Sequence, residues 1–458
     1  AARPAAITTI MVSPIARLTA SKTPPTTPGR AAGIRTFLIV SLLVAPIASE
    51  PSRIALGTAA ILSSAIDETK GIIIIPITTP AASANSDDST LLLELANAYE
   101  KIGDIQGGMF ESNLGKRELA FNSYNKSLEI GERLVVRQPN NKEFQIKLAD
   151  SYFKIANMRW IQLKIPESVE LYERSVKIRE KLFSENPQDK DVTLGFANVN
   201  SRYGFAIAAG GKHDEGLVFL RKSSTIMEKL KDKHPNDTDV LDRYAICNDL
   251  VASILDGGKR QYDDALKIYQ KTKLITTKLH KNEPQNMVFK RSYSLAFYNI
   301  AHMQNKLGKN KVGLENAKKA VEISQEILDA NPKSEEFRQN LAVFEILFTD
   351  FLTKTNDFEE ALKTIKRVLL FFEIAEEAAP KDEIVQFRIA NTHEAFGKIY
   401  LAKSERDSEK AGWRIAREHF EKSHKIYKRL KDEGKATGDD AAKVDEMIEL
   451  IAKCDAAL

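Results

Sequence analysis

The groups that could move a proton or hold a metal in this 458-residue chain are seven histidines, two cysteines and 63 carboxylates. Their spacing supports little of either. His419 and His424 stand five apart, which turns them to different faces of a helix, whereas a helical zinc pair sits four apart. His213, His234 and His280 fall at expected turns or helix ends, where a solvated imidazole is the expectation. His302 and His393 fall within helices, where ordinary packing is expected. Cys247 and Cys454 are far apart and show no CxxC spacing, so neither a disulfide framework nor a thiolate zinc site follows. Cys247 reads as a small buried apolar residue and Cys454 as a tail thiol. The acidic pairs Asp263–Asp264 and Glu359–Glu360 open helices, where carboxylates complement the macrodipole. No Ser-His-Asp or Cys-His arrangement and no phosphate loop is present. The expectation is a chain without enzymatic activity, cofactor or metal.

Charge narrows the partner. Residues 1–86 carry seven basic and three acidic residues, leaving 60 of each sign for residues 87–458. A neutral body weighs against nucleic acid. The first 86 residues also hold nine of the 16 prolines and neither Tyr nor Trp. They read as a poorly structured leader. Within it, Thr36–Ser49 (TFLIVSLLVAPIAS) is apolar but too short to span a bilayer and contains Pro46. Residues 36–49 therefore define the one route to export or a weak membrane anchor; without it the expected location is cytoplasmic.

From Ser89 onward the sequence becomes periodic. Leu92, Leu95, Ala96, Tyr99 and Ile102 form one helical stripe. Pro139, Pro187, Pro235, Pro284, Pro332 and Pro380 then follow at intervals of 48, 48, 49, 48 and 48 residues. Nineteen residues before each proline is a small residue: Ala120, Ser168, Gly216, Ala265, Gly313 and Ala361. Fifteen before stand Tyr124, Tyr172, Leu220, Tyr269, Ala317 and Ile365; nine before, Ile130, Ile178, Ile226, Ile275, Ile323 and Phe371. Seventeen after each proline come Ala156, Gly204, Ala252, Ala301, Thr349 and Gly397. Each unit is then a polar cap, a long helix, a short turn and a second long helix that ends at the next proline. Small residues let paired helices approach closely, and stacking buries what one unit cannot.

This code resembles the tetratricopeptide repeat, whose unit is usually 34 residues. The five-residue spacing from turn to small residue survives in Gly115–Ala120, Gly211–Gly216, Gly308–Gly313 and Asn356–Ala361. The surplus of 14 residues therefore lengthens both helices by about seven, close to two turns, without rotating their apolar faces. The resemblance implies an all-α, α-α superhelix: a tetratricopeptide-like solenoid of about seven elongated hairpins over residues 89–432, with a capping helix at about 439–456. Irregular ends are expected at Asp104–Ser112, as a glycine-containing loop, and at Ser404–Gly412, as an insertion before a helix Trp413–Lys431. LANAYEKIGDIQGG and NLGKRELAFNSYNKSLEI further resemble the first repeat of arrays that trail bacterial serine/threonine protein kinases. No glycine-rich loop, His-Arg-Asp or Asp-Phe-Gly motif accompanies them here.

Family members bind peptides along the concave face, which the first helix of each hairpin lines. Counted from the small residue of that helix, the outward positions give Phe153, Asn157 and Trp160; Ser201, Phe205 and Ala208; Asp249, Ser253 and Asp256; Tyr298, His302 and Asn305; Ile346, Asp350 and Thr353; and Glu394, Lys398 and Leu401. Lys154 and Arg202 flank the first two sets. Aromatic, amide and cationic side chains together suit an extended peptide. The alternative is that Phe153, Trp160 and Phe205 pack inside the lengthened interhelical core. The implied function is a protein-interaction scaffold or sensory module. A piece of a repeat-bearing kinase whose catalytic domain lies elsewhere is the other reading.

Overall fold

The computed structural model describes residues 65–67, 72–74, 88–108, 116–162, 164–332, 334–378, 380, 382–436 and 438–458. The expected disorder and the apolar run 36–49 lie outside these residues, save for two short strands. These strands, β1 (Ala65–Asp67) and β2 (Ile72–Ile74), pair antiparallel with Ala65 opposite Ile74. Everything else described is helix, turn or connection.

The period of the prolines is explained by helix caps. Two residues after each of the six stands Asn141, Asp189, Asp237, Asn286, Ser334 or Asp382, and each is the N-cap of a first helix. Its side chain accepts from a backbone N–H two or three residues ahead, satisfying donors that the helix itself leaves open. Proline cannot donate to a continuing helix, so Pro-x-Asx ends one helix and starts the next. Asp88 caps the earliest helix in the same way.

The chain divides into two compact units, Ala16–Leu163 and Lys164–Leu458. The first contains α1 (Ser89–Gly107), α2 (Arg117–Arg137) and α3 (Lys142–Ile161). Its core joins Leu92, Leu95, Tyr99 and Ile102 of α1 to Ile130 and Leu134 of α2 and Phe144 of α3. The stripe read from sequence is the buried one.

The second unit runs α4 (Ile165–Glu185), α5 (Lys190–Ala209), α6 (His213–Lys233), α7 (Thr238–Gly257), α8 (Tyr262–Asn282), α9 (Met287–Lys306), α10 (Asn310–Ala330), α11 (Glu335–Lys354), α12 (Phe358–Ala378), α13 (Glu383–Asp407), α14 (Lys410–Asp432) and α15 (Gly438–Ala457). Each helix packs on the next, and the first helices α5 and α7, α9 and α11, and α11 and α13 also touch directly. The fold is therefore an all-α array of elongated helical hairpins of tetratricopeptide type, closed by a terminal helix.

Small residues set the crossings. Gly204 of α5 and Gly216 of α6 face each other so closely that a Cβ on Gly204 would stand 2.7 Å from the Gly216 carbonyl oxygen. Gly313 instead accommodates the Phe351 ring of the following hairpin, and Gly397 the Phe420 ring of its own. The residues fifteen before the prolines are all buried. Nine before, only Ile130 and Ile323 are buried; Ile178, Ile226, Ile275 and Phe371 are half-buried, and the next residue lies deeper.

Turns are left-handed at the expected places. Gly211, Gly308 and Asn356 have φ of 95°, 68° and 64°, and Arg260 takes the same position at 54°. The ends depart from expectation. Asp104–Gly107 continues α1, and the presumed insertion Ser404–Gly412 is mostly helix, lengthening α13 to Asp407 and starting α14 at Lys410 around a left-handed Ser408. Helix is the cheaper solution where a backbone run would otherwise leave its polar groups unpaired.

Candidate functional site

In the Ala16–Leu163 unit the candidate residues sit on α3. Phe153 and Trp160 are half-buried and Asn157 is buried. Lys154 forms a 2.6 Å ion pair with Asp104 of α1, which also accepts from the Tyr124 hydroxyl at 2.6 Å. The Lys154 ammonium further lies 5.9 Å from the Tyr124 ring centre. Its charge is thus engaged by a neighbouring helix rather than presented bare.

In the Lys164–Leu458 unit Arg202 and Phe205 are both buried, so the aromatic and the cation predicted to point outward on α5 lie in the packed interior. Burial draws Arg202 down to about 10 against the opposing pull of Tyr172.

Tyr298, His302 and Asn305 of α9 behave differently. They are half-buried and consecutive along one face. The Tyr298 ring stacks on Phe344 of α11 with centroids 4.5 Å apart and runs parallel to His302 at 6.2 Å. His302 Nε2 lies 3.4 Å from Asp256 Oδ2 of α7. Asn305 donates to Asp350 of α11, and Lys354 reaches both Asn305 and Asp350. The first helices α7, α9 and α11 thereby carry one polar and aromatic rail. Farther on, Glu394 and Lys398 of α13 interlock with Lys443 and Glu446 of α15 at 2.6 to 3.0 Å. The two ammonium groups hold Glu446 down at about 2 despite its burial. This last set binds the terminal helix rather than a partner.

His393 packs in the interior as expected, but its pairing with His419 and the placements of His213, His280 and Cys454 were not read from sequence. His393 and His419 form a buried pair with Nδ1 atoms 3.0 Å apart, and the Phe396 ring stacks on His419 at 4.0 Å. His280 stacks on Tyr293 at 4.9 Å, and the Nδ1 atoms of His213 and His280 are buried instead of solvated. Cys454 is a core residue among α14 and α15, not a tail thiol, whereas Cys247 is buried as expected. The acidic pairs Asp263–Asp264 and Glu359–Glu360 do occupy first turns. The signal for the histidine pair was present: His393 stands four before Gly397 and His419 three after Ala416. Asn200 and Phe219 hold the same relation to Gly204 and Gly216, and Asn200 donates to the Phe219 carbonyl at 2.9 Å.

Among the described residues no group of three or more His, Cys, Asp or Glu could hold a metal ion, and no helix is long and apolar enough to cross a membrane. No family model and no curated protein matches the sequence. Solved structures do resemble it distantly. BtubC from P. vanneervenii is 15% identical, covering 57% of this chain and 92% of its own, with a TM-score of 0.43. A tetratricopeptide repeat protein from Parabacteroides merdae ATCC 43184 is 12% identical over 80% of this chain and 98% of its own, at 0.38. TTC0263, a tetratricopeptide protein from Thermus thermophilus, is 15% identical over 54% and 98%, at 0.32. The likeness is remote, and the hairpin architecture rests on the packing of this chain itself.

Proposed function

We propose that this chain is a non-catalytic interaction module that takes a peptide or protein segment on the face lined by its first helices. The observation that supports this best is the α9 rail. Tyr298, His302 and Asn305 keep partial exposure while their neighbours on the same helix are buried. A ring clamped by Phe344 loses little freedom on binding, which is how an aromatic anchor is made effective. Phe153, Lys154, Asn157 and Trp160 form the corresponding set on α3. The neutral charge of residues 87–458 disfavours nucleic acid, and no cofactor enters the reading.

Random-peptide panning against the whole chain tests this. Recovered peptides should lose binding to Tyr298→Ala and Asn157→Ala variants and retain it with Leu274→Ser, on the exposed side of α8. Binding that survives both inner-face changes and fails with Leu274→Ser would overturn the assignment. The kinase alternative draws on the Leu91–Ile130 resemblance, and an in-frame catalytic domain in the coding sequence upstream of Ala1 would establish it. A cytoplasmic location accompanies the favoured reading; export or anchoring through residues 36–49 would show on cell fractionation.

A further inference from the structure

The inner face holds a carboxylate that the protein leaves without a cation. Asp249 of α7 is 6% exposed, and its Oδ1 has no hydrogen-bond partner. No basic side chain pairs with it among the described residues. Seven residues on, and so on the same side of α7, Asp256 is 8% exposed with the His302 imidazole 3.4 Å away. Tyr269 of α8 lies close enough to both carboxylates and to Tyr298 that all three act on its phenol, after burial itself, to raise its pKa. Neither the Tyr269 nor the Tyr298 hydroxyl hydrogen-bonds to the protein in the described residues. The buried cation of α5, Arg202, is favoured by Tyr172 and Cys247 and opposed by Arg243, and it is not among the groups acting on Asp249. Arg388 of α13 acts on Tyr298 and is not among the groups acting on Asp249.

An isolated carboxylate in such a place is costly unless something pairs with it. Two carboxylates, two phenol oxygens free to accept and the face of a clamped ring describe a receptor for a compact, nitrogen-bearing cation. We propose that this cluster of side chains on α7, α8 and α9 receives the cationic head of a lysine or arginine side chain from the bound peptide. The inference rests on the peptide-binding reading above and specifies the chemistry of the partner at that face. A linked proton gives it a signature. Burial, partly offset by Thr272, pushes the Asp249 carboxyl up to about 7, so an incoming cation displaces a proton that this group would otherwise hold. The other titratable and charged groups around it are Asp256, Tyr269, Tyr298 and His302, with Arg388 acting on Tyr298.

Fluorescence anisotropy of the whole chain with labelled octa-arginine, octa-lysine and octa-glutamate, at physiological salt, tests the proposal. The cationic peptides should bind, with the tighter of the two identifying the preferred head group. Asp256→Asn and Asp249→Asn should each weaken binding by roughly tenfold, while Glu359→Gln on α12 leaves it unchanged. Affinity should rise from about pH 6 to about pH 8, and Asp249→Asn should abolish that rise. Circular dichroism confirms that each variant remains helical. Unchanged binding in both aspartate variants, equal binding of octa-glutamate, or no binding of either cationic peptide would overturn the proposal. Panned peptides that require Tyr298 but carry no lysine or arginine would also overturn it, while leaving the peptide-binding reading intact.

Discussion

At the scale of single residues the His393–His419 pair has the clearest measurable consequence. Two Nδ1 atoms 3.0 Å apart share one proton, which requires the accepting ring to be neutral, and burial favours the neutral form of both. Burial pushes each pKa down to about 4; the neighbouring His419 adds to the effect on His393, and Lys422 adds to it on both. The unfolded chain therefore takes up these protons first. Stability from the pair is complete above the ordinary histidine value of about 6.5 and falls as pH drops toward 4, by on the order of 3 kcal/mol per proton. Urea unfolding across that range should show the loss. A variant carrying His393→Asn and His419→Phe, the residue types found at the matching places in α5 and α6, should flatten it. An unaltered slope would mean that other groups account for the acid sensitivity.

The element scale is governed by caps and by contacts one period apart. Asp237 closes a turn: its carboxylate accepts from the N–H groups of Asp239 and Val240 and pairs with Lys190 at 2.9 Å, one repeat earlier. Lys259 with Asp214, Arg291 with Glu336 and Lys453 with Glu405 span similar separations. Such half-exposed pairs contribute little individually, but they fix the register of neighbouring hairpins. Asp237→Ala should cost about 1 kcal/mol for the lost cap, with the thermal midpoint dropping accordingly. A change confined to salt dependence would indicate that only the ion pair had mattered.

Across the molecule, stability is distributed as in a chain of nearest neighbours, because each helix finds its main contacts on adjacent helices. The terminal helix α15 shows this most clearly: Met447 is fully buried against a cluster that includes Phe420 and Tyr427 of α14. Met447→Ala should remove about 2–5 kcal/mol locally. Hydrogen exchange should accelerate in α14 and α15 and remain unchanged in α5–α8. Uniform acceleration throughout the Lys164–Leu458 unit would instead indicate a single cooperative block.

Periodicity determined much by itself. The prolines with their Asx caps, the small residues at the crossings and the left-handed turn positions specified helices, hairpins and their order, because capping and close approach depend on residue type at fixed spacing. The aromatic stripe of α1 and the acidic first turns were equally legible. Which inner-face residues remain accessible was decided only by tertiary packing. Phe205 stands one residue after the small residue of α5 just as His302 does in α9, yet Phe205 is buried and His302 only half-buried. The orphan carboxylate of Asp249 and the union of His393 with His419 across two helices likewise depend on what a neighbouring hairpin brings alongside. A repeat fixes each residue's angle on its helix; how far the adjoining helices cover it is a property of the assembled array.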